Sequence, residues 1–160
     1  LTMLAHERAS IGGGGMYNLD QVVALARAAA DTTDPVVRQR LADLHTRFEI
    51  LRFLGYRVRT AAARGELPGP ESSVMKLAVS ALYETGGDLV VALQGAAGML
   101  THDDAPFGGR FQDLFMGQWA PRIGGGTDQI QRNIIGERVL GLPGEVRNDK
   151  DVPFRELRHA

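Results

Sequence analysis

Residues 124–133 read Gly-Gly-Gly-Thr-Asp-Gln-Ile-Gln-Arg-Asn, and their types and spacing suit ligand chemistry. Glycines let a backbone approach a bound group closely. The unpaired N–H groups of a helix that starts behind them attract anionic or oxygen-rich atoms. Spacing alone leaves two readings, a ligand loop or a plain helix start with Thr127 as N-cap. A second run, Gly12–Gly15, lacks the Lys-Ser/Thr of a phosphate loop and follows no strand. It reads as a place of close helix–helix contact. Glu7 stands beside Arg8 near the start of the chain. A carboxylate there is either a solvated surface group or, if desolvated, a general base with a raised pKa.

Metal and nucleophile chemistry find no footing. A di-iron bundle needs inward Glu-x-x-His pairs. Of His6, His45, His102 and His159, only His159 follows a Glu (Glu156) at that spacing, in the polar tail. No Gly-x-Ser-x-Gly elbow occurs.

The elements that must position these residues are helices. Asp34-Pro35 is a strong helix start, an N-cap followed by a proline at the first helical position. Val37, Leu41, Leu44, Phe48, Leu51, Gly55 and Val58 then recur at steps of four and three, a narrow apolar seam. This helix is predicted to run to about Arg64 and to stop at Gly65, with Pro68 beyond. A second begins at Pro70-Glu71 and carries Val74, Leu77, Ala81, Leu82, Leu89 and Leu93 to about Gly98. A first helix is expected over residues 2–30, with Gly12–Gly15 inside it. A shorter segment spans Phe111–Trp119, and a last helix runs from Thr127 to about Leu140. There is no alternating strand pattern and no Asn-Gly hairpin signal. The expected fold is all-α, an antiparallel four-helix bundle of long helices over residues 1–144, with an extended polar tail over 145–160.

Composition narrows the function classes. The chain has 160 residues, enough for one cored domain. A formal net charge of −1 excludes a nucleic-acid footprint, which needs a basic surplus. No apolar run reaches the roughly 20 residues that cross a bilayer. The absence of cysteine excludes a disulfide framework and fits a cytoplasmic setting. The chain opens on Leu1, already in a helical pattern, which suggests a fragment with its N-terminal part missing.

The block from Arg122 to Pro143, RIGGGTDQIQRNIIGERVLGLP, resembles the C-terminal signature of acyl-CoA dehydrogenases. Leu4–Ile11 (LAHERASI) resembles the start of that family's C-terminal helical domain, and Pro68–Leu77 (PGPESSVMKL) resembles bacterial, often actinobacterial, members. The resemblance implies that an N-terminal helical domain and a middle β-domain are absent. It also implies oxidation of an acyl-CoA to its trans-2-enoyl product: a glutamate takes the α-proton, a hydride passes from the β-carbon to FAD, and electron-transfer flavoprotein is the acceptor. Many members hold the base where this chain has Gly125. Isovaleryl-type and long-chain members instead take it from the domain's first helix, just before an Arg, which is the position of Glu7 before Arg8. The resemblance therefore assigns the base to Glu7 and substrate contacts to Arg8, Gly125 and Gly126. Gly125 would serve through its backbone N–H. Thr127 and Gln129 match FAD contacts.

Three departures bear on assembly. Where members carry an Arg-x-x-Phe-Gly clamp for a neighbour's flavin, this chain reads Ala30-Asp-Thr-Thr-Asp-Pro-Val36. Ala92 replaces the usual Gln, and Ala96 a glycine. The implied oligomer, a dimer of dimers in this family, is then either a mixed α2β2 assembly or a homo-oligomer with another clamp. The competing functions are a non-catalytic partner subunit that shapes a paired chain's site and an unrelated helical interaction domain. The isolated 160-residue piece is expected to be inactive, because most isoalloxazine and acyl contacts belong to the missing domains.

Overall fold

The structure is a computed structural model and describes residues 18–66 and 71–144. Among them there is no strand. Six α-helices form: α1 (Leu19–Ala29), α2 (Pro35–Ala63), α3 (Glu71–Gln94), α4 (Arg110–Gly117), α5 (Ala120–Ile123) and α6 (Asp128–Arg138). Three short 3-10 turns, Gly95–Met99, His102–Asp104 and Pro106–Gly109, join α3 to α4.

Local chemistry sets the boundaries. Asn18 caps α1 by accepting the Asp20 N–H at 2.9 Å. Asp31 takes both the N–H and the hydroxyl of Thr33, at 2.8 and 2.6 Å, and so fixes the turn into α2. Asp34 caps α2 through the Val36 N–H at 2.7 Å, with Pro35 at the first position as the sequence predicts. Gly65 adopts φ 74°, the left-handed conformation that closes a helix.

The 29-residue α2 is about 44 Å long. The seven residues 64–70 that join it to α3 reach at most about 25 Å even when extended. Because α2 and α3 pack side by side, they must run antiparallel. The all-α antiparallel bundle is thus the fold, with α3 at its centre, packed against α1, α2, α4, α5 and α6. Its core joins Val22, Leu25 and Ala26 of α1 and Leu44 of α2 to Val79, Leu82, Tyr83, Leu89, Val90 and Leu93 of α3 and Phe111 of α4.

Four details differ from the sequence expectation. The α2 seam meets the core only through Val37, Leu41, Leu44, Phe48 and Leu51. Gly55 and Val58 are half-buried, while Ile50, Phe53 and Tyr56 lie exposed beside them, because none of the core residues described reaches that end. The third helix ends as an α-helix at Gln94 and finishes as a 3-10 turn, since Gly95 turns left-handed at φ 55°. The segment expected over Phe111–Trp119 is α4, which ends two residues earlier at Gly117, and the separate turn α5 follows: Pro121 has no N–H for the Gly117 carbonyl four residues back. The final helix stops at Arg138, and Leu142 N–H closes onto Gly136 O at 2.9 Å with Gly141 left-handed. Most of the expected first helix, Gly12–Gly15 included, and the tail 145–160 lie outside the described residues.

Candidate functional site

The Gly124–Thr127 loop joins α5 to α6, and each residue of it has a defined task. Gly124 is extended, whereas Gly125 and Gly126 both take positive φ, 66° and 91°. That conformation is strained for a residue with a Cβ, and the two consecutive glycines adopt it without that cost. Thr127 is the N-cap of α6, its hydroxyl oxygen accepting the Ile130 N–H at 3.3 Å. The plain helix-start reading of Thr127 therefore holds. A hydroxyl has a second lone pair and a proton to offer a ligand as well. Gly125 is buried, Gly126 and Thr127 are half-buried, and Gln129 is exposed on the first turn of α6. These four expected contact residues fall within one stretch of chain. Glu7 and Arg8 lie outside the described residues.

Beneath the loop lies a polar network that sequence reasoning missed. Asp128, the first residue of α6, receives a hydrogen bond and ion pair from Lys76 at 2.8 Å and a hydrogen bond from the Ser80 hydroxyl at 2.9 Å. The Lys76 side chain is 1% exposed and that of Asp128 7%, so this pair is almost wholly removed from water. Arg122 of α5 approaches the other carboxylate oxygen at 3.4 Å and bonds Glu84 of α3 at 3.0 Å. Its guanidinium also stacks over Trp119, 5.4 Å from the ring centre. Ser80 lies 3.2 Å from the Pro121 carbonyl, a second tie between α3 and the α5 end of the loop. Burial pushes the Asp128 carboxyl up, but hydrogen bonds from Lys76, Ser80 and Arg122 and the Lys76 charge outweigh it, leaving the pKa below the usual aspartate value.

A signal for this network was present in the sequence. Ser73, Lys76, Ser80 and Glu84 follow one another at steps of three, four and four, a single stripe along α3. Ser73, Lys76 and Ser80 are buried. Lysine is so seldom fully buried that the stripe passes for a solvent face. Gln131, also buried, donates its amide to the Gly125 carbonyl at 2.9 Å. It lies inside the quoted signature without an assigned role.

No group of three or more His, Asp or Glu side chains among the described residues is placed to hold a metal ion. None of the described helices is long and apolar enough to cross a membrane. Ala92 and Ala96, the two departures near the end of α3, are exposed.

The family model for the acyl-CoA dehydrogenase C-terminal domain matches residues 1–140. The chain belongs to the acyl-CoA dehydrogenase family. The acyl-CoA dehydrogenase IpdE1 of Mycolicibacterium smegmatis is 37% identical over 126 residues, 79% of this chain and 30% of that protein. Among solved structures, the Tcur3481-Tcur3483 steroid ACAD superposes with a TM-score of 0.78 at 26% identity, covering 89% of this chain and 38% of the other. The ChsE4-ChsE5 complex from Mycobacterium tuberculosis gives a TM-score of 0.67 at 27% identity over 80% of this chain and 34% of that one. This acyl-CoA dehydrogenase domain thus spans about a third of the length of the relatives it matches.

Proposed function

We propose that the whole protein carrying this domain is a flavin-dependent acyl-CoA dehydrogenase with Glu7 as its base. The observation that carries this reading is the Gly124–Thr127 loop, with paired left-handed glycines running into a capped helix start on a buried ionic footing. The residues fit a flavin: Thr127 has hydroxyl capacity beyond its cap bond, Gln129 projects from the first turn of α6, and the glycines leave room for a close approach. FAD bound there supplies the acceptor for the hydride that leaves the substrate β-carbon. The backbone N–H of Gly125 holds the thioester carbonyl and stabilises the negative charge that builds on its oxygen, and Gly126 contacts the substrate. Glu7 takes the α-proton onto a carboxylate oxygen as the Cα–Cβ double bond forms, and Arg8 lies beside the substrate. Gly125, in the position many members give to glutamate, leaves that role to Glu7.

The subunit belongs to a mixed assembly in this reading, with electron-transfer flavoprotein receiving the electrons. Two features support it: the missing Arg-x-x-Phe-Gly clamp, and the two-component make-up of the solved neighbours Tcur3481-Tcur3483 and ChsE4-ChsE5. The experiment is to purify the complete protein with and without a candidate partner subunit. Flavin content and turnover are then measured on straight-chain, branched and steroid acyl-CoAs. Glu7→Gln is expected to lower kcat by at least about 100-fold with flavin retained; full activity in that variant excludes Glu7 as base. A homotetramer of the protein alone, with one FAD per subunit, overturns the mixed assembly.

A further inference from the structure

We propose that Lys76 sets the reduction potential of the flavin by cancelling the charge of Asp128 at the start of α6. This rests on the flavin contacts at Thr127 and Gln129 proposed above. Those two residues stand on either side of Asp128 in the chain, so its carboxylate belongs to the turn that the flavin meets. Charge close to a flavin tunes its chemistry, because reduction adds negative charge to the cofactor. A lone carboxylate in that turn opposes reduction. The Lys76 ammonium, 2.8 Å away on α3, offsets it.

Burial makes both charges felt. The Lys76 side chain is 1% exposed and that of Asp128 7%, so neither water nor salt screens them as it would on the surface. Folding gives little reason for the pair, since apolar residues of similar volume often serve a buried site as well or better. What the pair adds is a fixed pattern of charge beneath the loop. The other groups around the carboxylate do not replace Lys76. Ser80 on α3 donates from 2.9 Å but carries no charge. Arg122 on α5 lies farther off, at 3.4 Å from the second carboxylate oxygen, and bonds Glu84 at 3.0 Å. The Arg122 and Glu84 charges oppose each other, which leaves the balance of Asp128 to Lys76.

The test is a redox titration of the complete flavin-loaded protein against a dye of known potential. Wild type, Lys76→Met and the double variant Lys76→Met/Asp128→Asn are compared at about pH 8, where an aspartate in this setting is ionised. Lys76→Met is expected to make the flavin harder to reduce. At a fixed potential its ratio of reduced to oxidised flavin falls roughly tenfold, equivalent to about 30 mV for a two-electron couple. Removing the carboxylate as well is expected to bring the ratio back to within about threefold of wild type. A role in folding alone predicts lower thermal stability in Lys76→Met with the potential unchanged, and that result overturns the proposal. So does a shift that persists in the double variant, since it then comes from a displaced loop and not from charge. If Lys76→Met retains no flavin, Asp128→Asn is compared with the double variant at about pH 6, where the lysine keeps its proton. Asp128→Asn is then expected to be reduced roughly tenfold more readily, and equal ratios overturn the proposal. A complete protein that takes up no FAD overturns the flavin reading and this proposal together, whereas a flavin-loaded wild type with the same potential as Lys76→Met overturns this proposal alone.

Discussion

Lys76 and Asp128 carry opposite charges into a region almost free of water, and each depends on the other. Removing one partner of a buried pair leaves an uncompensated charge, at a cost of roughly 3–5 kcal/mol. Lys76→Met in the complete protein is therefore expected to lose stability of that order in urea unfolding; a loss below about 1 kcal/mol would show that the pair is already hydrated. The pH dependence has a definite sign. The folded pKa of Asp128 is depressed, so its contribution is fully present above the unfolded value of about 3.9 and disappears as pH falls through the lower folded value. Asp128→Asn is expected to flatten this acid limb relative to wild type, measured as unfolding free energy against pH below about 5.

At the scale of elements, α6 starts on Thr127 as its N-cap, the residue the proposed function also sets against the flavin. Thr127→Ala removes the bond to Ile130 N–H, and loss of a cap costs about 1 kcal/mol. If Thr127 also touches the flavin, the variant is expected to lose flavin affinity as well, while Thr127→Ser, which keeps the hydroxyl, restores both. Equilibrium dialysis of flavin alongside thermal unfolding separates the two effects. Helix starts and the glycine loop were legible in the sequence because their causes are local: Asp34-Pro35, Gly65, and Gly124–Gly126 before Thr127 each act within a few residues. The end of α4 was equally local, set by Pro121, but the aromatic spacing of Phe111, Phe115 and Trp119 before it carried the expected segment two residues too far. The ionic footing was not legible, since Lys76 and Asp128 are 52 residues apart and each alone resembles a surface charge. The same limit applies to Gln131, whose buried amide reaches the Gly125 carbonyl six residues before it.

For the whole molecule, the proposed function makes this domain one wall of a larger site, as the chain spans only about a third of the length of its relatives. The isolated chain is accordingly expected to show no acyl-CoA dehydrogenation, measured with dye reduction as readout, and turnover by the 160-residue piece would contradict that expectation. The long seam of α2 shows why the bundle could be read from sequence while its packing could not. Heptad-like spacing establishes that a helix has an apolar side, yet only Val37 to Leu51 meets the described core. The Lys76–Asp128 pair has a consequence for how such a sequence can drift. A domain with a stability of about 5–15 kcal/mol cannot readily pass through an intermediate that has lost 3–5 of them. Replacement of either residue must then wait for a compensating change in the other, 52 residues away. Gly125, three residues before Asp128, stands outside that pair, so under the proposed function a base relocated to Glu7 leaves the ionic pair untouched.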